Sequence, residues 1–307
     1  MTKTNQQKVK DFLINNGVII VMFILVIYTG FTSDNFFTRN NFMNILMNMS
    51  SRLVIALGIA GCVITAGCDL SAGRMIGFGA CISGMLLQRM DYSGKFFPDM
   101  QPLNVFVVAL IAMLVCAAFG TVTGFFIAYL NVPPFIATLA MMEIVYGIGL
   151  IVTNATPLGG YVEQYTNVSN GKFLGINYLI WIAIIVAAIT WFIFNMTRHG
   201  KYMYAIGGNP QAAEVAGVPV KATLILIYMK AAAMYGLAGF MLGAKAGGAS
   251  VQTGYGYEME AIAACTIGGV SVTGGRGKVS SAIIGVAVFE LLKVALQYLG
   301  MNANAQY

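Results

Sequence analysis

Charge is scarce in this chain. Asp, Glu, Lys and Arg make up 9% of its 307 residues, where a soluble domain carries about 25%. So little charge cannot cover a water-facing surface, and a soluble globular fold is excluded. Histidine is scarcer still: His199 is the only one, which rules out a multi-histidine metal site. Cysteines are present but scattered. Cys62, Cys68, Cys81, Cys116 and Cys265 lie mostly in apolar runs without a C-x-x-C pair, so they read as packing residues rather than a disulfide framework or zinc site. Phosphate-loop chemistry is missing too. The Gly-Lys pairs at 94–95, 171–172, 200–201 and 277–278 lack the upstream glycine and the following Ser or Thr that cradle a nucleotide. No catalytic constellation is legible and no cofactor is expected on this chain, so a process driven by ATP and Mg²⁺ would need a second chain to hydrolyse it.

Apolar residues and glycine dominate instead. Hydrophobic residues reach 58%, the mean hydropathy is +0.78, and 36 residues are glycine. This composition predicts an all-α polytopic membrane protein, one membrane-spanning domain over 1–307, whose helices approach closely in the lipid bilayer through small residues. Gly120/Gly124 and Gly239/Gly243 have the small-xxx-small spacing. The formal charge of +6 comes from basic residues spread singly between apolar runs. That pattern fits an excess of Lys and Arg on the cytoplasmic side and not a nucleic-acid partner.

The apolar runs 17–31, 53–67, 75–87, 105–130, 135–153, 176–194, 222–244, 261–272 and 279–299 give about nine spans. Several are shorter than the ~20 residues a full crossing needs, so broken or re-entrant helices are expected. Lys3, Lys8 and Lys10 precede the first run and no small-x-small cleavage site follows it, which reads as a cytoplasmic N-terminus and an uncleaved first span. That orientation puts nine basic residues inside, Arg74, Arg198, Lys201 and Lys221 among them, against five outside. Residues 196–221 then face the cytoplasm, and Tyr307 ends outside.

Within that polar loop, residues 198–221 carry a complete short-helix signature. Asn209 suits the N-cap and Pro210 the first helical position. Residues 211–216 are mostly good helix formers, Gly217 suits a left-handed cap, and Pro219 prevents continuation. So short a helix cannot hold itself together in water. It needs a surface to dock on, and it reads as a contact point for another protein.

Other residues carry paired readings. In Thr65-Ala66-Gly67-Cys68-Asp69-Leu70-Ser71-Ala72-Gly73 the acid either caps a helix starting near Leu70 or belongs to broken backbone lining a pathway. Glu143, inside an apolar run, either marks a functional site or faces the bundle interior among polar neighbours. Glu290 and Lys293 read as an intrahelical pair, and Lys230 snorkels or pairs. The glycine-rich turn 268–277 reads as a gate, a re-entrant loop or a flexible connector. The string 59–64 is similar to 262–267, and Ser71-Ala72-Gly73-Arg74 to Thr273-Gly274-Gly275-Arg276, about 200 residues apart, as two related halves would be.

Four motifs carry a resemblance: Thr65 to Gly73 as spelled above; Asn131-Val132-Pro133-Pro134-Phe135-Ile136-Ala137-Thr138-Leu139; Gly207-Gly208-Asn209-Pro210-Gln211-Ala212-Ala213 with Gly217; and Ile262-Ala263-Ala264-Cys265-Thr266-Ile267-Gly268-Gly269. In this order they resemble the membrane-spanning permease of ATP-binding-cassette sugar importers, in the branch for ribose, galactose and related sugars, nearest the galactose/methyl-galactoside permeases. The resemblance implies a homodimer in the bacterial inner membrane, an ATPase subunit docked on the cytoplasmic face, and a periplasmic sugar-binding protein. It implies a coupling helix at Asn209, Pro210, Ala212, Ala213, Glu214 and Gly217, and a core around the pathway that includes Asp69, Ser71, Gly73, Gly268 and Gly269. The family has ten spans and a basic tail, so a last span is expected to be missing here. Glu143 and Cys68 depart from the family pattern. The rival expectations are an ion-gradient carrier using Asp69 and Glu143, and a non-transporting scaffold or truncated fragment.

Overall fold

The computed structural model describes residues 17–33 and 35–301; Lys3, Lys8, Lys10 and Tyr307 lie outside the described residues. The chain opens with α1 (Gly17–Thr32), α2 (Arg39–Ile64) and the shorter α3 (Ala72–Leu86). Then come α4 (Val105–Tyr129), α5 (Pro134–Thr153), the small α6 (Glu163–Asn170), an antiparallel hairpin of β1 (Lys172–Phe173) and β2 (Ile176–Asn177), and α7 (Tyr178–Met196). Two polar-loop helices follow, α8 (Arg198–Gly208) and α9 (Pro210–Val215), before α10 (Val220–Ala246), α11 (Tyr257–Ile267) and α12 (Val279–Tyr298).

Among the described residues, six helices are long and apolar enough to cross a membrane: α2, α4, α5, α7, α10 and α12. The shorter apolar helices α1 and α3, and the eleven-residue α11, overlap three of the short apolar runs. Helix α2 differs from the apolar pattern, which places its start near residue 53. It begins at Arg39, capped by Thr38, whose hydroxyl accepts the Asn41 N–H at 3.3 Å. The polar first half of α2 hides the helix from a hydropathy reading; Ser50 and Ser51 bond carbonyls of the preceding turn, while Asn48 and Arg52 have distant partners. On α4, α5 and α7 the apolar side chains of Phe106, Leu114, Ile151 and Phe192 point outward from the bundle, exposed.

Helix α10 is the hub, packed on α4, α3 and α2. It gets there without side chains between backbones. A Cβ on Gly120 would stand 2.4 Å from the Tyr228 carbonyl oxygen, one on Gly236 2.4 Å from that of Ala112, and one on Gly239 2.2 Å from that of Ile76. The small-residue pairs read from the sequence therefore sit in the seams. Every residue from 54 to 64 on α2 is buried, closing the core.

A second tie is ionic. Arg52 on α2 meets Glu260 on α11 (Nε to Oε2, 3.0 Å) and, through Nη1, Glu290 on α12; Lys293 Nζ donates to Glu260 Oε1 at 3.0 Å. Where spacing suggested an intrahelical pair, Glu290 meets Arg52 of α2 and Lys293 meets Glu260 of α11. Lys245 at the end of α10 bonds Asn48 of α2, and a polar cavity of about 110 Å³ opens between Asn48, Lys245, Glu290 and Gln297.

The segment from 247 to 256 turns back into the bundle rather than running along its edge. Ala249 bridges Leu158, and the carbonyls of Val251 and Thr253 lie 2.8 and 2.9 Å from the place of a Gly77 Cβ on α3. Irregular backbone at membrane depth is tolerated when protein surrounds it. The similar strings 59–64 and 262–267 end alike. Gly67 N donates to Cys62 O (3.0 Å) after Ala66 at φ +58, and Val270 N to Cys265 O (2.9 Å) after Gly269 at φ +97. The second pair of similar strings diverges: Ser71 to Arg74 enters α3, whereas Thr273 to Arg276 stays in a turn.

Two outcomes follow. Gly239→Leu drives a side chain into the α3 backbone and lowers stability by about 3 kcal/mol or more, whereas Gly147→Ala, with open space around it, leaves the melting temperature of the detergent-solubilised protein unchanged. Glu260→Leu removes the carboxylate that Arg52 and the buried Lys293 share and costs about 3–5 kcal/mol, of which the double variant Glu260→Leu/Lys293→Met recovers part. Equal melting of the single and double variants would remove the network from the account of stability.

Candidate functional site

The polar loop folds as two helices. Thr197 caps α8, its hydroxyl accepting the Gly200 N–H at 3.2 Å. Sequence reasoning missed α8, although Thr197 followed by Met203 and Ile206, both buried, is the signal that finds it. Helix α9 has the capped form expected. Asn209 Oδ1 accepts the Ala212 N–H at 2.9 Å, and Pro210 takes the first position. Gly217, at φ +82, donates to Glu214 O at 3.0 Å, and Val218 N donates to Ala213 O at 3.0 Å. Ala213 is buried. Glu214 is exposed, and Val215 is 91% exposed. An aliphatic side chain held out so fully on a two-turn helix has no partner within the protomer.

Helix α8 seats α9 on the core through a glycine contact. A Cβ at Gly207 would be 1.8 Å from Ile64 O, and Gly275 N donates to that same oxygen at 2.8 Å. Tyr204 donates its hydroxyl to Gly277 O at 2.8 Å; burial pushes this phenol up from its ordinary value, so it stays protonated and donating. The turn 268–277 is therefore a packed junction between the end of α2 and α8, not a loose connector. Beside it, His199 is drawn down to about 4 by burial and by the charge of Lys230, and is neutral near pH 7. Half-buried Lys230 shares a small cavity with His199, Thr190 and Phe194, so it reaches toward α8.

Asp69 does not cap a helix at Leu70. It is 1% exposed, its Oδ1 accepts from Ser71 N (3.0 Å) and Ser71 Oγ (2.5 Å), and the helix starts two residues after Leu70, at Ala72. This turn within the chain holds the break between α2 and α3, with Tyr235 of α10 beside it. Gly73 leaves room for the Glu258 carboxylate, whose Oε2 lies 2.0 Å from where a Cβ would stand, and Gly268 abuts Ser281 O on α12 in the same way, at 1.8 Å. Gly73 lies against the first turn of the eleven-residue α11, whereas Gly268 follows its last residue.

Glu143 does not face the bundle interior. The buried stripe of α5 is Ala137, Thr138, Met141, Val145, Gly149 and Thr153, and Glu143 lies on the other side, exposed. Among the described residues no group of three or more His, Cys, Asp or Glu is placed to hold a metal.

Comparison with known proteins agrees with the resemblance read from the motifs. The family model described as "branched-chain amino acid transport system / permease component" matches residues 41–307. The galactose/methyl galactoside import permease of Escherichia coli K12 is 39% identical over 314 residues, covering 100% of this chain and 94% of that protein. The Haemophilus influenzae protein of the same description is 40% identical over 314 residues with the same coverage. The ribose import permease of E. coli K12 is 32% identical over 301 residues, covering 97% of this chain and 90% of that one. No solved structure matches the chain. With a family match from residue 41 onward and relatives on this scale, the chain belongs to the branched-chain amino acid transport system / permease component family, whose members are membrane-spanning transport subunits.

Proposed function

We propose that this chain is the permease subunit of an ATP-driven monosaccharide importer, carrying galactose, methyl galactoside or a related sugar. The observation that carries the reading is α9. It is a fully capped two-turn helix with Val215 held out to solvent, seated through Gly207 and Ile64 on the break between α2 and α3. A separate ATPase, binding ATP and Mg²⁺, docks on Ala212, Glu214 and Val215. Its movement on nucleotide binding shifts α9 and α8 as one piece, and with them the equilibrium between two openings of the pathway.

The α9 end is cytoplasmic in this reading, the N-terminus lies on that side, and about nine segments enter the membrane. Arg198, Lys201, Lys221, Arg276 and Lys278 gather at the α9 end, as a cytoplasmic face would have them. Arg74 leaves that tally, because its guanidinium stacks on Tyr146 within α5. A periplasmic sugar-binding protein delivers substrate at the opposite end. Exposed Glu143 supports a second copy: a carboxylate in the middle of an apolar span is costly against lipid and tolerable against water or protein. The pathway then runs between two α5 faces.

Val215→Asp tests the docking surface. Co-purification of the ATPase with the tagged permease falls by about tenfold, while the permease itself is recovered folded at the usual yield. Gly217→Val forces a branched residue into a left-handed conformation at a cost of about 1–2 kcal/mol, unwinding the cap, and gives ATP hydrolysis without sugar uptake. Galactose uptake that survives ATP depletion and collapses with the ion gradient would overturn the reading.

A further inference from the structure

Arg74 is a charged residue at the depth of mid-span. Its guanidinium carbon stands 4.0 Å from the ring centre of Tyr146, midway along α5, and 4.3 Å from that of Tyr255 on the re-entrant segment. Nη1 donates to Gln252 Oε1 at 2.7 Å and to Val251 O at 3.4 Å, and Gln252 Nε2 donates to the Tyr146 hydroxyl at 3.0 Å. Glu258, only 5% exposed, lies near enough to feel the Arg74 charge. Two of these ionic groups keep an unused atom. Arg74 Nε and Glu258 Oε2 are buried without a hydrogen-bond partner among the described residues. Buried polar atoms are nearly always paired, and an intramembrane ion marks function by default.

The cluster is open on one side. Tyr255 is 60% exposed, Gln252 is exposed, and Glu143 stands one turn from Tyr146 on α5. A guanidinium held between two rings can act only through its edge, which offers N–H donors in a rigid fork. Such a fork suits neighbouring hydroxyls; the amide and carboxylate exchange further hydrogen bonds, and a tyrosine ring accepts an apolar C–H face. A bare ion would not use the rings, and an apolar solute would strand the charges. A sugar ring uses both.

We infer that Arg74, Gln252, Glu258, Tyr146 and Tyr255 form the surface on which this chain holds a monosaccharide in transit. The inference rests on the importer reading and goes beyond it by assigning the substrate contact. The site joins the start of α3, the middle of α5 and the re-entrant segment ahead of α11, where interrupted helices meet.

The test uses the permease assembled with its ATPase and binding protein in liposomes, with labelled galactose as the probe and methyl galactoside and ribose as competitors. Tyr255→Ala removes an exposed ring, and Arg74→Lys keeps the charge but loses the fork. Both variants are expected to assemble normally and to lose about tenfold or more of galactose uptake, with a changed order of competitors that a packing defect would not give. Should Arg74→Lys fail to assemble, Tyr255→Ala alone decides. Unchanged uptake and competitor order in Tyr255→Ala overturn the site. Failure of the importer reading looks different: the unsubstituted complex would carry none of the three sugars, and the site would fall with it.

Discussion

Backbone contact along α10 is the constraint on which the other placements depend. In lipid the hydrophobic effect does not push helices together, so they must gain by packing, and glycine lets two backbones touch. Gly120 on α4 and Gly236 and Gly239 on α10 fix three helices to within a side chain's thickness of one another. Once α3 is held against α10 in this way, the short chain between α2 and α3 has to turn sharply, and buried Asp69 makes that turn with Ser71. The same seam sets the depth of Arg74, in the first turn of α3, and so brings it to Tyr146. A packing rule thereby positions an ionic site.

Much of this was legible in the sequence where the signal is local. The cap, proline and glycine of α9 lie within nine consecutive residues, and each acts on its neighbours, so reading them needs no tertiary knowledge. Membrane class follows from composition for the same reason. Longer-range features were not legible. The first half of α2 has four asparagines, two serines and Arg52 in its polar stretch; Ser50 and Ser51 bond carbonyls of the preceding turn, but Asn48 and Arg52 find partners on α10, α11 and α12 that their neighbours in sequence do not show. Glu290 and Lys293 are three apart, so spacing suggests each other, while Arg52 and Glu260 are invisible from there. Glu143 was misplaced because an apolar run shows that a residue is in a span but not which way it points. Arg74 was counted with the cytoplasmic basic residues because the rings that hold it come from residues 146 and 255, which its own neighbours do not show.

The junction at Ile64 explains how a surface helix can influence the interior without a flexible link. One carbonyl oxygen, at the end of a helix buried on every side from residue 54 onward, accepts the Gly275 N–H and leaves no room for a side chain at Gly207. Helix α8 cannot move toward the bundle without moving α2 or the glycine turn, because nothing compressible lies between them. Close-packed interiors transmit displacement in this way.

Two sets of membrane-depth charges can be told apart by their accounts. Around Arg52, each cation faces a carboxylate at hydrogen-bonding distance, the acids are engaged by charges on other helices, and the set ties three helices together. Charges so matched resist a newcomer, since any ligand would first have to break a buried pair. Around Arg74 the balance is left open: the guanidinium leans on rings and an amide, the nearby carboxylate keeps a free oxygen, and Tyr255 stands at the surface. Matched ions hold helices together, and unmatched ones beside a surface are available to a solute. On that difference in satisfaction, and not on charge or depth, the Arg52 set is architecture and the Arg74 set is a binding surface.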